Sequence, residues 1–332
     1  RVASHRRVSF PAFSCYDLGT AWTVAGVQPV LHDLDPAVLG PRASSLRRTL
    51  ESGAGAVVVA YLYGVPLDWD RLEETLEGTD PLVIEDAAQG TGCAWRGREA
   101  GSLGDLSVLS FGRGKGRTGG GGGALLALTE RGLEAVSRLE TERLARRGSL
   151  RPLVQSVAQW ILSRPSLYGL PSRLPGLDLG ETVYHPPTPV GGISSFSLGV
   201  LRETTDLEAG AASRRRERAS RLLEAVRRAT DVNAVEPPAG GTPGYLRLPV
   251  LARERALERL TSDRAVRLGV MPSYPRPLHR VPQLADSFDE PRLQLEGAED
   301  LSRSLFTLPT HGLVSRWEIR KTMDIVRGPA SG

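Results

Sequence analysis

The sequence predicts an α/β protein, with a mostly parallel sheet covered on both faces by helices and a smaller α+β unit after it. Three observations carry this expectation. Six short apolar runs lie within the first 129 residues, and helix-compatible stretches separate several of them. A parallel neighbour can be reached only through a crossover, so alternation of strand and helix is the pattern that parallel pairing requires. From about residue 130 the chain turns to long helical stretches, and from residue 244 it returns to strand, helix and strand.

Taken in order, VSFPAF (8–13), PVLHDL (29–34), AVVVAYLYG (56–64) and PLVIED (81–86) read as buried strands. DWDRLEETLEG (68–78) reads as a helix that opens on an Asp cap and closes on glycine. LSVLSFG (106–112) and GALLALT (123–129) are joined by a glycine loop with no helix between them, so this pair is expected to be antiparallel. TERGLEAVSRLETERLARR (129–147) and ETTDLEAGAASRRRERASRLLEAVRRA (203–229) read as helices, with the arginines at 214–216 on a solvated face. The stretch 164–192 is rich in Pro, Gly and Ser, and an insertion is expected at about 150–190. GYLRLPVLA (244–252), a helix near 253–268 and GVMPSY form the small unit. The expected division is a large domain over 1–200 and a long helix with a small α+β domain over 201–332. There is no internal repeat.

Composition narrows the function. Hydrophobic and charged residues make up 40% and 24% of the chain, as in ordinary soluble proteins. The net charge is only +4, and Arg is interspersed with Asp and Glu, which argues against a nucleic-acid partner. No apolar run approaches the roughly 18 residues of a membrane span, and VQSVAQWILS (154–163) is short and interrupted. Cys15 and Cys93 form no C-x-x-C, so both are expected to be structural thiols in a reduced, cytoplasmic setting. The five histidines lack metal-ligand spacing, so no metal is expected, and His279 and His311 are read as satisfied loop histidines. The chain opens on Arg1 and runs straight into a strand, so its natural N-terminus is expected to be absent.

The most informative stretch is SFGRGKGRTGGGGGAL (110–125). Of the 42 Lys plus Arg in the chain, only Lys115 and Lys321 are lysine. A P-loop is excluded because Leu109 stands where the first glycine belongs and Gly116 where Ser or Thr must bind Mg²⁺. A flexible RGG-like segment is disfavoured by the apolar strands that flank it closely. A Schiff-base lysine fits, since only a primary amine condenses with a carbonyl cofactor and a guanidinium does not. The bland alternative is that one surface lysine survived by chance, as Lys321 shows can happen. A pyridoxal cofactor also needs a carboxylate against its ring nitrogen. Asp86, at the carboxyl end of PLVIED, is the candidate, with a helix cap or turn residue as the alternative role.

VIEDAAQGTGCAWRGREAGSLGDLSVLSFGRGK resembles the signature region of the DegT/DnrJ/StrS family of pyridoxal-phosphate (PLP) dependent sugar aminotransferases. The elements are Glu85-Asp86-Ala87-Ala88-Gln89, Gly97 to Asp105, Ser110-Phe111 to Lys115, and Gly120 to Gly123, in the family's order. AGVQPVLHDLDP (25–36), YLYGVPLDWDRL (61–72), PSYPRPLH (272–279) and LFTLPTH (305–311) carry weaker likeness. The resemblance implies a fold-type-I transferase with a seven-stranded type of sheet, acting as a homodimer. By position, Lys115 would bind the cofactor covalently and move the proton, and Asp86 would pair with the ring nitrogen. Gln89 would sit by the ring's 3-hydroxyl, Ser110 would hold the phosphate, and Tyr16 or Cys15 would take the place of the aromatic that stacks on the ring. The implied reaction transfers an amino group from glutamate to a nucleotide-linked keto sugar, in polysaccharide or secondary-metabolite biosynthesis. A PLP-binding homologue with different chemistry, or a silent binding module, is the alternative. The chain departs from the pattern in several places: the family's Gly-Thr/Ser-Ala phosphate turn would lie ahead of Arg1, Tyr61 replaces the His of H-x-Y-G, and Gly121 replaces an acidic residue. PVGGISSFSLG (189–199) lacks the family's Asn and Arg.

Overall fold

The computed structural model describes residues 7–112, 114–137, 148, 150, 153–154, 183–188, 191–288 and 294–328. All six predicted runs form the main sheet: β1 (Arg7–Pro11), β2 (Gln28–His32), β3 (Ala56–Ala60), β4 (Leu82–Asp86), β5 (Leu106–Ser110) and β6 (Gly123–Ala127). Their spatial order is β6-β5-β4-β3-β1-β2. Every pairing is parallel except β5 with β6, where Gly123 faces Ser110 and Ala127 faces Leu106. The glycine loop therefore acts as a long hairpin, as its lack of a helix implied. Six strands stand where a seven-stranded type of sheet was expected, because β6 has no further strand on its outer side among the described residues. The central strand β3, AVVVA, is buried at all five positions, the pattern of a strand covered on both faces.

The helices follow local chemistry. α1 (Asp17–Ala25) ends at Gly26, whose φ of 64° is the left-handed conformation glycine adopts freely. α2 (Ala43–Glu51) packs beside α3 (Trp69–Leu76) on one face of the sheet. The Asp68 carboxylate accepts from Arg71 N–H at 3.0 Å, the N-cap expected from the sequence. Replacing Asp68 by Ala is expected to lower unfolding stability by about 1 kcal/mol. A drop in the urea midpoint with an unchanged m-value would show it.

α4 (Glu130–Ser137) is the described part of the predicted 129–147 helix. The remainder, together with most of the 150–190 insertion and of VQSVAQWILS, lies outside the described residues. The predicted 203–229 helix is two helices, α5 (Ser195–Thr205) and α6 (Glu208–Val226), with the break at Asp206 and Leu207. The solvated face expected for the arginines at 214–216 also needs correction. Arg215 is buried, and its guanidinium donates to Gly244 O at 2.8 Å and Thr91 O at 3.1 Å. A buried guanidinium that satisfies backbone carbonyls is a pin, here holding the loop after β4 against the segment that leads into Arg247–Ala252 of the second sheet. Charge runs do not reveal such a role, since the burial depends on which face the helix turns inward.

The second sheet is antiparallel, in the order β7 (Val232–Ala234), β8 (Arg247–Ala252), β10 (Leu305–Pro309), β9 (Met271–Pro272). The helices after β8 are α7 (Glu254–Thr261), α8 (Asp263–Arg267), α9 (Glu296–Ser304) and α10 (Arg316–Arg327). Leu278, Leu284 and Leu301 share one buried core with Phe10, Phe13, Trp22 and Leu31. Asp33 strengthens this junction, because its two carboxylate oxygens accept from Gly297 N–H and Ala298 N–H at the start of α9, at 2.9 and 2.8 Å. The segment between β9 and α9 is thereby held against the carboxyl ends of β1 and β2.

Candidate active site

The parallel strands bring their carboxyl ends to one edge of the sheet, where α/β proteins bind ligands. Asp86 is the last residue of β4, in register with Ala60 of β3 and Val108 of β5. Successive strand residues face opposite ways, and this separates the adjacent acids. Glu85 is fully buried and accepts from Tyr61 O–H (2.8 Å), Gly101 N–H (2.6 Å), Leu103 N–H (3.0 Å) and Gly104 N–H (3.3 Å). It is a structural carboxylate that shapes the 101–104 turn. Asp86 Oδ1 accepts only from Ala88 N–H, at 3.1 Å, and Oδ2 has no donor among the described residues. Burial pushes the Asp86 carboxyl above its usual range, with the Ala88 N–H and the charge of Lys115 pulling the other way.

Lys115 stands in the turn after β5. Its carbonyl accepts from the Thr91 hydroxyl at 2.7 Å, and its N–H donates to Gly112 O at 3.4 Å. Gly116, with φ 83°, follows it, and a Cβ there would meet Thr91 Cγ2 at 2.7 Å and Leu246 Cδ2 at 2.8 Å. The loop is thus glycine-rich where the backbone turns left-handed against the segment that carries Thr91. The half-buried Lys115 side chain lies within electrostatic reach of both Asp86 and the Cys15 thiol.

The other predicted residues are placed as follows. Ser110 ends β5, and its hydroxyl accepts Gly112 N–H at 3.3 Å, on the flank of the same turn as Lys115. Gln89 follows Asp86 in the next turn, with its amide oxygen on Tyr63 N–H (3.0 Å) and its amide nitrogen on Tyr274 O–H (2.9 Å). Tyr16 is buried, and its hydroxyl both donates to Arg276 O (3.2 Å) and accepts Arg276 N–H (3.1 Å). The Tyr16 hydroxyl is thus anchored on the backbone of residue 276, while the Cys15 thiol lies within electrostatic reach of Lys115. Burial first, then Asp17, push the Cys15 thiol up to about 11. Cys93 is a buried structural thiol pushed up to about 12. His279 Nε2 pairs with Glu299 at 3.1 Å, but its buried Nδ1 has no partner among the described residues, so it is only half satisfied. No group of metal-ligating residues occurs among those described, nor does any described helix have the length and apolarity to cross a membrane.

Sequence reasoning missed three participants. Thr91 holds the Lys115 carbonyl. Tyr63 has φ 57°, strained for a bulky residue and costing on the order of 1–3 kcal/mol. Gly64 after it, at φ 80°, has no room for a Cβ, which would lie 2.7 Å from Tyr245 N and Leu246 N. The third is Tyr274, stacked on Tyr63 with centroids 6.0 Å apart. The likeness of YLYGVPLDWDRL and PSYPRPLH to the family marked both tyrosines' segments, but nothing in the sequence shows that they meet.

Residues 5–151 match the DegT/DnrJ/EryC1/StrS aminotransferase family. GDP-perosamine synthase of Caulobacter vibrioides is 34% identical over 132 residues, which are 40% of this chain and 35% of that protein. L-glutamine:2-deoxy-scyllo-inosose aminotransferase of Streptoalloteichus tenebrarius is 36% identical over 111 residues, 33% of this chain and 26% of that protein. The chain thus matches about a third or less of these relatives' length. In fold, 97% of the chain superposes on 79% of a DegT DnrJ EryC1 StrS aminotransferase from Brucella abortus, with TM-score 0.73 and 21% identity. For the aminotransferase TlmJ of Streptoalloteichus hindustanus the values are 97% and 78%, TM-score 0.71 and 23% identity. The residues that match the DegT/DnrJ/EryC1/StrS aminotransferase family are thus those that carry Asp86, Ser110 and Lys115.

Proposed function

We propose that the protein is a PLP-dependent aminotransferase that moves an amino group onto a keto sugar. One observation carries the reading: Asp86 ends β4 beside Val108 of β5, and Lys115 stands in the turn that follows β5, within electrostatic reach of that carboxylate. The donor set fits the cofactor. An enclosed carboxylate with an oxygen free of donors is matched by a protonated ring nitrogen, because the opposite charge offsets the cost of burial. When bound, PLP supplies the electron sink for the reaction. Asp86 would hold the proton on the ring nitrogen. Lys115 Nζ would attach the cofactor and afterwards, freed, carry a proton between reacting carbons. The Ser110 hydroxyl and the Gly-rich turn beside it lie on the phosphate side in this reading.

The names of the relatives support a sugar-like acceptor, since one is a GDP-perosamine synthase and another an L-glutamine:2-deoxy-scyllo-inosose aminotransferase. A nucleotide-linked sugar is the proposed acceptor and glutamate the proposed donor, in a homodimer. The test is to mix purified protein with PLP, record the visible band of lysine-bound cofactor, and fix it with borohydride. Mass spectrometry should then place the cofactor on Lys115, and glutamate or glutamine should bleach the band. A colourless protein with unmodified Lys115 would refute the reading.

A further inference from the structure

Gln89 is held at both ends of its amide. The backbone N–H of Tyr63 can only donate, so the atom that faces it at 3.0 Å must be the amide oxygen. The orientation of the amide is thereby fixed, and its nitrogen faces the Tyr274 hydroxyl at 2.9 Å. Tyr274 is held in turn. Its ring stacks on Tyr63 at 6.0 Å and 30°, meets the edge of Phe13 at 5.4 Å, and lies 6.2 Å from Tyr16. The Tyr63 hydroxyl bonds that of Ser273, the residue before Tyr274. The contacts span 185 and 210 residues of sequence and join the loop after β9 to the loops after β3 and β4. The strained left-handed Tyr63 lies at the hub of this arrangement, contributing its N–H to Gln89, its ring to Tyr274 and its hydroxyl to Ser273.

An amide nitrogen has two N–H groups. Tyr274 takes one, and the second has no partner among the described residues. Gln89 is half-buried and follows Asp86 by three residues in the turn after β4, and Tyr274 itself feels the Asp86 charge. We propose that Tyr274 is a positioning residue: with Tyr63 it locks the Gln89 amide so that its remaining N–H is kept for the ring oxygen of the bound cofactor. The inference rests on the cofactor reading above. Without the Tyr274 hydroxyl the amide is held at one end only and pivots about its bond to Tyr63. Its second N–H then reaches the ring oxygen for part of the time.

The sign of the effect follows from charge. Negative charge on the ring oxygen helps keep a proton on the neighbouring lysine nitrogen, and an N–H donated to that oxygen weakens the hold. Losing the donor therefore raises the pH at which the visible band of PLP-loaded protein titrates. In wild type, Tyr274→Phe, Gln89→Ala and the double variant, this midpoint is measured by absorbance. Both single variants are expected to titrate higher by roughly 0.3–1 unit, the size of one hydrogen bond. The double variant should move no further than Gln89→Ala alone. Tyr274→Phe keeps the ring and its packing, so a role confined to the fold would alter melting temperature and leave the midpoint in place. A Tyr274→Phe midpoint equal to wild type, or shifts that add in the double variant, would overturn the lock. A wild type that shows no visible band would instead overturn the cofactor reading beneath it.

Discussion

Lys115→Arg is expected to abolish covalent cofactor binding and to reduce amino transfer by at least roughly 10³-fold. The substitution keeps a cation and a long stem, so the charge that acts on Asp86 and Cys15 stays in place. What it removes is a nitrogen able to lose its proton and attack a carbonyl, which a guanidinium does not do. The turn itself is held through backbone atoms, by the Thr91 hydroxyl on the Lys115 carbonyl and Gly112 O on its N–H. The variant should therefore melt close to wild type while showing no visible band with PLP and no borohydride-stable adduct. Lys321 supplies the control. It lies in α10, 3.7 Å from Asp324 on the same helix, and Lys321→Arg should leave band, adduct and transfer unchanged. A visible band that persists in Lys115→Arg would show that the cofactor is attached elsewhere.

The parts of this site that were legible in the sequence are those fixed by local chemistry. Apolar runs of β-forming residues gave all six strands of the main sheet, and the helix-free glycine loop gave the antiparallel pair. The placement of Asp86 and Lys115 was legible because the one ends a strand and the other follows the next, and parallel strands of one sheet end side by side. What could not be read depends on long-range packing. Nothing in the 203–229 stretch reveals a break at Asp206, and an arginine run does not disclose that Arg215 turns inward. The choice between Tyr16 and Cys15 was likewise undecidable from order alone. What order alone does not show is that the Tyr16 hydroxyl is taken up by the backbone of Arg276, 260 residues away. The bond from Gln89 to Tyr274 belongs to the same class, since two residues 185 apart meet only because the second sheet folds back over the strand ends.

Asp86→Asn should act in opposite directions with and without the cofactor, and this opposition separates a ligand role from a structural one. In the protein alone, burial holds the Asp86 carboxyl above its ordinary value of 3.8. Between that value and the raised one, the folded chain keeps a proton that the unfolded chain has lost. Stability therefore falls as pH rises through the window, and the cost of an ionised buried carboxylate persists at neutral pH. Asn carries no such charge and retains an oxygen for the Ala88 N–H. Without PLP the variant is expected to melt at or above the wild-type temperature at pH 7, with a flatter dependence on pH. With PLP the order reverses. The protonated ring nitrogen loses its counter-charge, affinity should fall roughly 10–100-fold, the scale of one charge-assisted hydrogen bond, and the thermal stabilisation given by the cofactor shrinks accordingly. Melting curves of both proteins, with and without PLP across pH, read all of this in one experiment. A carboxylate that served only the fold would give a variant less stable in both states, because removing it would take away an interaction and relieve no charge.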